Sequence, residues 1–209
     1  MTTSVASSME RRSPGRPRSA SAHRAILDAT IELLGEVGFG ATTIEAVATR
    51  AGVGKATVYR RWRSKTPLII EALDARAIEQ MPTPRTGSVR GDLTEFLVAL
   101  IAAMSGPDGR LVAPLLAEIS RNQELAEAFR RDLVAPRRAV LEEILREGMV
   151  RGELRPDLDV DLALDAPVGI VFQRLLILGE PVDEQSVRRI VDQLVEGLEA
   201  RPAASPGAR

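Results

Sequence analysis

Cysteine is absent from the 209-residue chain, and histidine occurs once, as His23. The first absence removes disulfides, thiolate metal sites and cysteine nucleophiles, and the second removes histidine-rich metal centres and most histidine-based triads. Aromatic residues make up only 3% of the chain. No apolar run approaches the ~20 residues of a membrane-spanning helix, and no stretch resembles a secretory signal. A strong net charge is lacking too, since 28 Lys+Arg against 29 Asp+Glu leave −1. With 44% hydrophobic residues, the chain has enough apolar material for a core and too little net charge for a disordered polymer. These absences weaken catalytic readings and call for no cofactor and no metal. They leave a soluble cytoplasmic protein as the expectation.

The near-neutral total hides an asymmetry. Residues 1–68 hold 11 Lys+Arg and 5 Asp+Glu, a balance of +6, whereas residues 69–209 hold 17 and 24, a balance of −7. A basic end joined to an acidic body points to a polyanionic partner for that end alone.

Nearly every segment between turn signals has helical spacing, and none shows clear strand alternation. The fold class is therefore all-α, with about nine helices. Residues 1–18 read as a flexible basic arm, 19–66 as a three-helix unit, 67–200 as a larger helical unit and 201–209 as a disordered tail. Pro136 is expected to kink or split the seventh helix. Helix eight, from about Val160 to Leu178, is apolar nearly all round, and such a helix must be covered on every face. Either it is the central helix of a monomer or a second chain covers it. The number of apolar faces favours a homodimer through helices eight and nine. Val168, Gly169, Leu176, Val187, Val191 and Leu194 are the expected interface, with Gly169 allowing close approach.

The most informative stretch runs from Thr42 to Ile69, TTIEAVATRAGVGKATVYRRWRSKTPLI. Two short helices meet at a turn containing Gly52, a helix-turn-helix arrangement. Val47, Ala48 and Val53 are placed to pack between the helices. The second helix projects Lys55, Ala56, Thr57, Tyr59, Arg60 and Arg61, a basic and polar surface suited to phosphates and base edges.

The series Thr43, Val47, Ala48, Ala51, Gly52, Val53, Val58, Tyr59, Trp62, Lys65 and Leu68 closely resembles the DNA-binding domain of the TetR family of bacterial transcriptional regulators. The motif covers about residues 20–70, and the nine-helix layout extends the likeness to the rest of the chain in organisation only. The resemblance implies an all-α dimer that binds a near-palindromic double-stranded operator and releases it when a small molecule enters the C-terminal domain. It implies base contacts from Lys55, Ala56 and Thr57, and phosphate contacts from Thr43, Tyr59 and Lys65. Arg60 adds an electrostatic phosphate contact. Phe39 and Trp62 match packing positions. In the arm, Gly15–Arg16–Pro17 resembles the core of an AT-hook, which places Arg16 and Arg18 in a minor groove.

The implied effector pocket falls among helices four to eight. Phe96, Leu100, Met104, Phe129, Met149, Phe172 and Gln173 are its candidate lining. Beyond residue 70 the aromatics are all Phe, so an aliphatic or otherwise hydrophobic effector is expected. Gln173 and Arg174 either hold its polar group or pair with Asp165 or a partner chain, and the structural role is favoured. Two further functions compete: a protein that keeps the fold without binding DNA, and a helical-bundle enzyme. For the latter, carboxylates such as Glu142, Glu143, Asp157, Asp159 and Asp161 are available, but a lone His23 cannot supply a Glu-x-x-His motif.

Overall fold

The structure is a computed structural model that describes residues 17–80, 83–106, 109 and 111–198. Helices account for nearly all of these residues, and no strand occurs among them. α1 is Pro17–Ala41, α2 Ile44–Arg50, α3 Lys55–Tyr59, α4 Lys65–Gln80, α5 Val89–Ser105 and α6 Val112–Ile119. α7 is continuous over 123–150, α8 over 160–178, and α9 is Glu184–Leu198. α1 begins two residues earlier than the sequence predicts, because Pro17 fits a first helical turn, where a missing N–H is harmless. Arg16, the side chain of Arg18 and residues 201–209 lie outside the described residues.

Local chemistry explains the boundaries. Gly38 interrupts α1 at φ +74°, a conformation that a side chain would strain. Thr43 caps α2 by accepting from the Ala46 N–H at 3.1 Å. Gly52 makes the turn at φ +66°. Ser88 caps α5 by accepting from the Gly91 N–H at 3.1 Å, and the Glu153 carboxylate accepts the Val89 N–H at 2.8 Å. Asn122 and Asp159 cap α7 and α8 in the same way.

At Pro136 the regular α-helical bonding of α7 is interrupted, although the helix does not end. The helix passes through a widened turn, Phe129–Val134, and Pro136 then sits at the start of the regular segment Ala135–Val150. There its absent N–H and its bulk are tolerated. α8 likewise holds Pro167 in its interior and ends in a widened turn, Gln173–Leu178, closed by Gly179 at φ +66°.

The buried apolar residues form two cores. The first joins α1 to α4, with Ile26, Phe39, Val47, Val58, Trp62 and Leu68 among its members. It also takes in Leu111, Leu115, Leu125, Ala128 and Leu133 from α6 and the start of α7. The second core gathers α5, the rest of α7, α8 and α9, around Leu97, Leu145, Leu154, Val171 and Val191. α7 thus passes from one core to the other at its widened turn.

Candidate nucleic-acid interface and effector cavity

Lys55, Ala56, Tyr59 and Arg60 are exposed on α3 and the turn after it, and Thr57 is half-buried beside them. The tight turn at Gly52 and burial of Val47, Ala48 and Val58 hold α3 across α2. Thr43 is exposed, with its hydroxyl oxygen committed to the α2 cap. Glu45 lies between the basic groups: its carboxylate accepts the Tyr59 hydroxyl at 3.1 Å and stands 3.9 Å from Lys55 Nζ. Its own backbone N–H, followed by Tyr59 and Lys55, holds the Glu45 carboxyl below its usual range, and the same contact raises the Tyr59 hydroxyl.

Lys65 serves the fold as well as the basic face. Its ammonium donates to the carbonyls of Phe39 at 2.6 Å and Gly40 at 2.8 Å, and lies 4.6 Å above the Phe39 ring. This cation clamps the end of α1 to the start of α4. Phe39 and Trp62 are buried. Trp62 donates to Glu71 at 2.6 Å and stacks on His23, whose Nε2 is 3.3 Å from the same carboxylate. Arg50 binds Glu36 with both terminal nitrogens, at 2.8 and 2.7 Å, which fixes α2 to α1.

A cavity of about 300 Å³ opens between the two cores. Phe96, Leu100 and Met104 of α5 line it, with Phe129 of α7 and Phe172 of α8. Leu73, Leu111, Leu115 and Leu133 close the side that belongs to the first core. Two expected lining residues lie elsewhere. Met149 packs against the second core two turns beyond the cavity wall, and Gln173 is exposed on the outer side of α8. Helical spacing gives each residue's position around the axis but not how far along it the cavity extends.

The wall also carries charged residues that the sequence did not place there, Arg76, Arg137, Arg138 and Asp165; Asp165 pairs with Arg138, and Arg174, its expected partner, pairs with Glu180. A signal was present. Leu133, Arg137 and Leu141 fall at successive i+4 positions, so Arg137 interrupts an apolar stripe.

The outer surface revises the expected interface. Val187 and Val191 are 1% and 0% exposed inside the chain, where α9 packs on α5 and α8. They cannot meet a second chain, because the apolar stripe of α9 is its own core face. Val168 lines the cavity. Gly169 is exposed, and Leu176 and Leu194 are half-buried. The large apolar side chains left open on α8 are Leu162, Ile177 and Leu178, at 68%, 77% and 54% exposure.

No helix among the described residues is long and apolar enough to cross a membrane. Residues 26–72 match the family described as bacterial regulatory proteins, tetR family, and residues 83–194 match the tetracyclin repressor-like C-terminal domain. The chain is 35% identical to the HTH-type transcriptional regulator YdeS of Bacillus subtilis, over 90% of this chain and 96% of that one. It is 31% identical to the DNA-binding transcriptional repressor TetR of Mycobacteroides abscessus, over 93% and 98% of the two chains. The crystal structure of the TetR family transcription regulator SCO0332 superposes with a TM-score of 0.71 at 36% identity, covering 85% of this chain and 98% of the other. A capped helix-turn-helix with a basic, exposed second helix, carried on a helical body that matches along its length, thus makes this chain a member of the TetR family of DNA-binding transcriptional regulators.

Proposed function

We propose that the chain is a two-fold dimeric repressor that holds a near-palindromic operator and lets go when a small, largely apolar molecule fills the cavity between its two cores. Lys55, Ala56 and Thr57 read base edges in this scheme. Thr43, Tyr59, Arg60 and Lys65 hold phosphates, and among the described residues Lys65 has one ammonium hydrogen left after its two carbonyl bonds. Arg16 of the arm and Arg18, in the first turn of α1, add minor-groove contact. The exposed face of α8, with Leu162, Ile177 and Leu178, meets the same face of the second copy.

The observation that carries the reading is the position of the cavity. α4 contributes Leu73 and Arg76 to its wall, and the same helix starts at the Lys65 clamp beside the helix-turn-helix. A molecule that changes the seating of α4 therefore changes the spacing of the two α3 helices. DNA binding needs them roughly 34–36 Å apart to enter successive major grooves. A regulator assignment displaces the helical-bundle enzyme, and the exposed basic α3 favours DNA binding over a fold-retaining sensor.

The test is fluorescence anisotropy on DNA from the region upstream of the protein's own gene, at increasing salt. Affinity is expected to fall steeply with salt. Tyr59→Phe is expected to weaken binding on all sequences, whereas Lys55→Ala also changes base preference. Salt-independent binding, or an unchanged preference in Lys55→Ala, rejects the contact assignment.

A further inference from the structure

Four charged groups interrupt the apolar wall of the cavity: Arg76 on α4, Arg137 and Arg138 on α7, and Asp165 on α8. Arg138 is held by acids, donating to Asp165 at 2.5 Å and Asp161 at 2.7 Å. Arg137 differs. Its side chain is only 20% exposed, and it donates to the Leu133 carbonyl of its own helix at 2.5 Å and to Asp74 at 3.2 Å. Among the described residues these bonds engage two of its five N–H groups. Three N–H groups remain on a side chain that lines the apolar space.

Asp74 and Arg76 stand two residues apart on α4 and reach different neighbours. Asp74 ties α4 to α7 through Arg137, and Arg76 ties α4 to Asp28 of α1 at 3.2 Å. Each guanidinium of the wall already has a carboxylate partner, and Arg137 stands apart because it meets its acid through one nitrogen only; this favours a ligand that is apolar along most of its length and carries a carboxylate at one end. A neutral end would leave the open N–H groups of Arg137 desolvated without their best acceptor.

Resting on the reading of the cavity as the effector site, we infer that the effector is an apolar molecule bearing a single carboxylate, and that this carboxylate takes Arg137 away from Asp74. A carboxylate accepts the guanidinium fork bidentately, whereas Asp74 holds one nitrogen of it. Once displaced, Asp74 has lost its partner and faces a like charge. α4 then loses its tie to α7 and reseats, and the Lys65 clamp at its other end passes the change to the DNA-binding helices. The ligand binds the released conformer better because its own anion replaces the tie that conformer lacks.

The probes are decanoate and decanamide, which share a ten-carbon chain and differ in the charge of one end. Calorimetry on the full-length protein is expected to show decanoate binding about tenfold tighter than decanamide, with the ratio falling to about one in Arg137→Gln. Without ligand, Asp74→Asn is expected to bind operator DNA about fivefold more weakly than wild type. Unchanged DNA affinity in a folded Asp74→Asn overturns the release mechanism. Equal binding of the two probes by wild type, or a ratio that survives Arg137→Gln, overturns the carboxylate assignment and leaves the cavity as an apolar site. Failure of both probes to bind overturns that assignment together with the reading of the cavity as an effector site. The wild-type comparison needs no variant, so a folding defect in either substitution cannot shelter the proposal.

Discussion

At the tip of the helix-turn-helix, Glu45 accepts the Tyr59 hydroxyl and attracts Lys55, two of the groups assigned to DNA. A phosphate arriving there competes with this carboxylate. Glu45→Gln keeps an acceptor for Tyr59 but removes the charge, so DNA binding is expected to tighten about threefold to tenfold with a steeper salt dependence, as anisotropy would measure. Because the Glu45 carboxyl is held below its usual value of 4.5, the contact is complete above that value and fades only as pH falls through the depressed one. Wild-type DNA binding should therefore show no step from Glu45 between pH 6 and 8, a range that lies wholly above the usual carboxylate value. The motif residues themselves were legible from the sequence, because their spacing is set by one short turn. Glu45 was not, since its role depends on how α3 crosses α2. Arg137 left a visible trace as the charge at i+4 between Leu133 and Leu141, but its partner Asp74 lies 63 residues away in the chain.

Close approach between α7 and α5 rests on Gly148. A Cβ built there would lie 2.1 Å from Val89 Cγ2 and 3.2 Å from Leu154 Cδ1, and both neighbours are almost fully buried. Val89 cannot swing aside, because its side chain is β-branched and its N–H is fixed to Glu153. Alanine would gain about 1 kcal/mol of helix propensity over glycine. Overpacking of a fixed core costs about 1–3 kcal/mol and is expected to win. Gly148→Ala should thus lower the urea midpoint with an unchanged slope, and a midpoint at or above wild type would mean that α5 yields. At this scale the sequence was a good guide. The number of helices and most of their ends follow from caps, glycines and apolar spacing. The widened turns at Phe129–Val134 and Gln173–Leu178 do not. An i+5 bond leaves no mark in the apolar period, and only Pro136 hinted at a disturbed helix.

For the whole molecule, α8 sets the expected assembly. Ile177 is 77% exposed in the single chain, on the same helix as the open Leu162. Ile177→Asp removes no core contact and places a charge on the proposed two-fold face. Size-exclusion light scattering is expected to show a folded monomer at micromolar concentration where wild type is a dimer. DNA affinity should fall with it, because one α3 then contacts one half-site. A dimer that survives Ile177→Asp assigns the contact to another face. The sequence showed that α8 has more apolar surface than one neighbour can cover, but not how the faces of α8 and α9 are divided between core and exterior. Val187 and Val191 went inward and the end of α8 stayed outward, a choice made by the packing of α9 on α5.

The first core borrows Leu111, Leu115, Leu125 and Leu133 from segments that follow α5 in the chain. The core that supports the DNA-facing helices is therefore not drawn from one contiguous stretch, and residues up to Thr66 moved alone leave part of it behind. A chimaera that joins residues up to Thr66 to the body of a relative sets a foreign α6 against α1 and α4, and its DNA-reading half inherits the relative's side chains in its own interior. For this chain a new operator preference is expected to disturb that interior least when it arises on the exposed surface of α3.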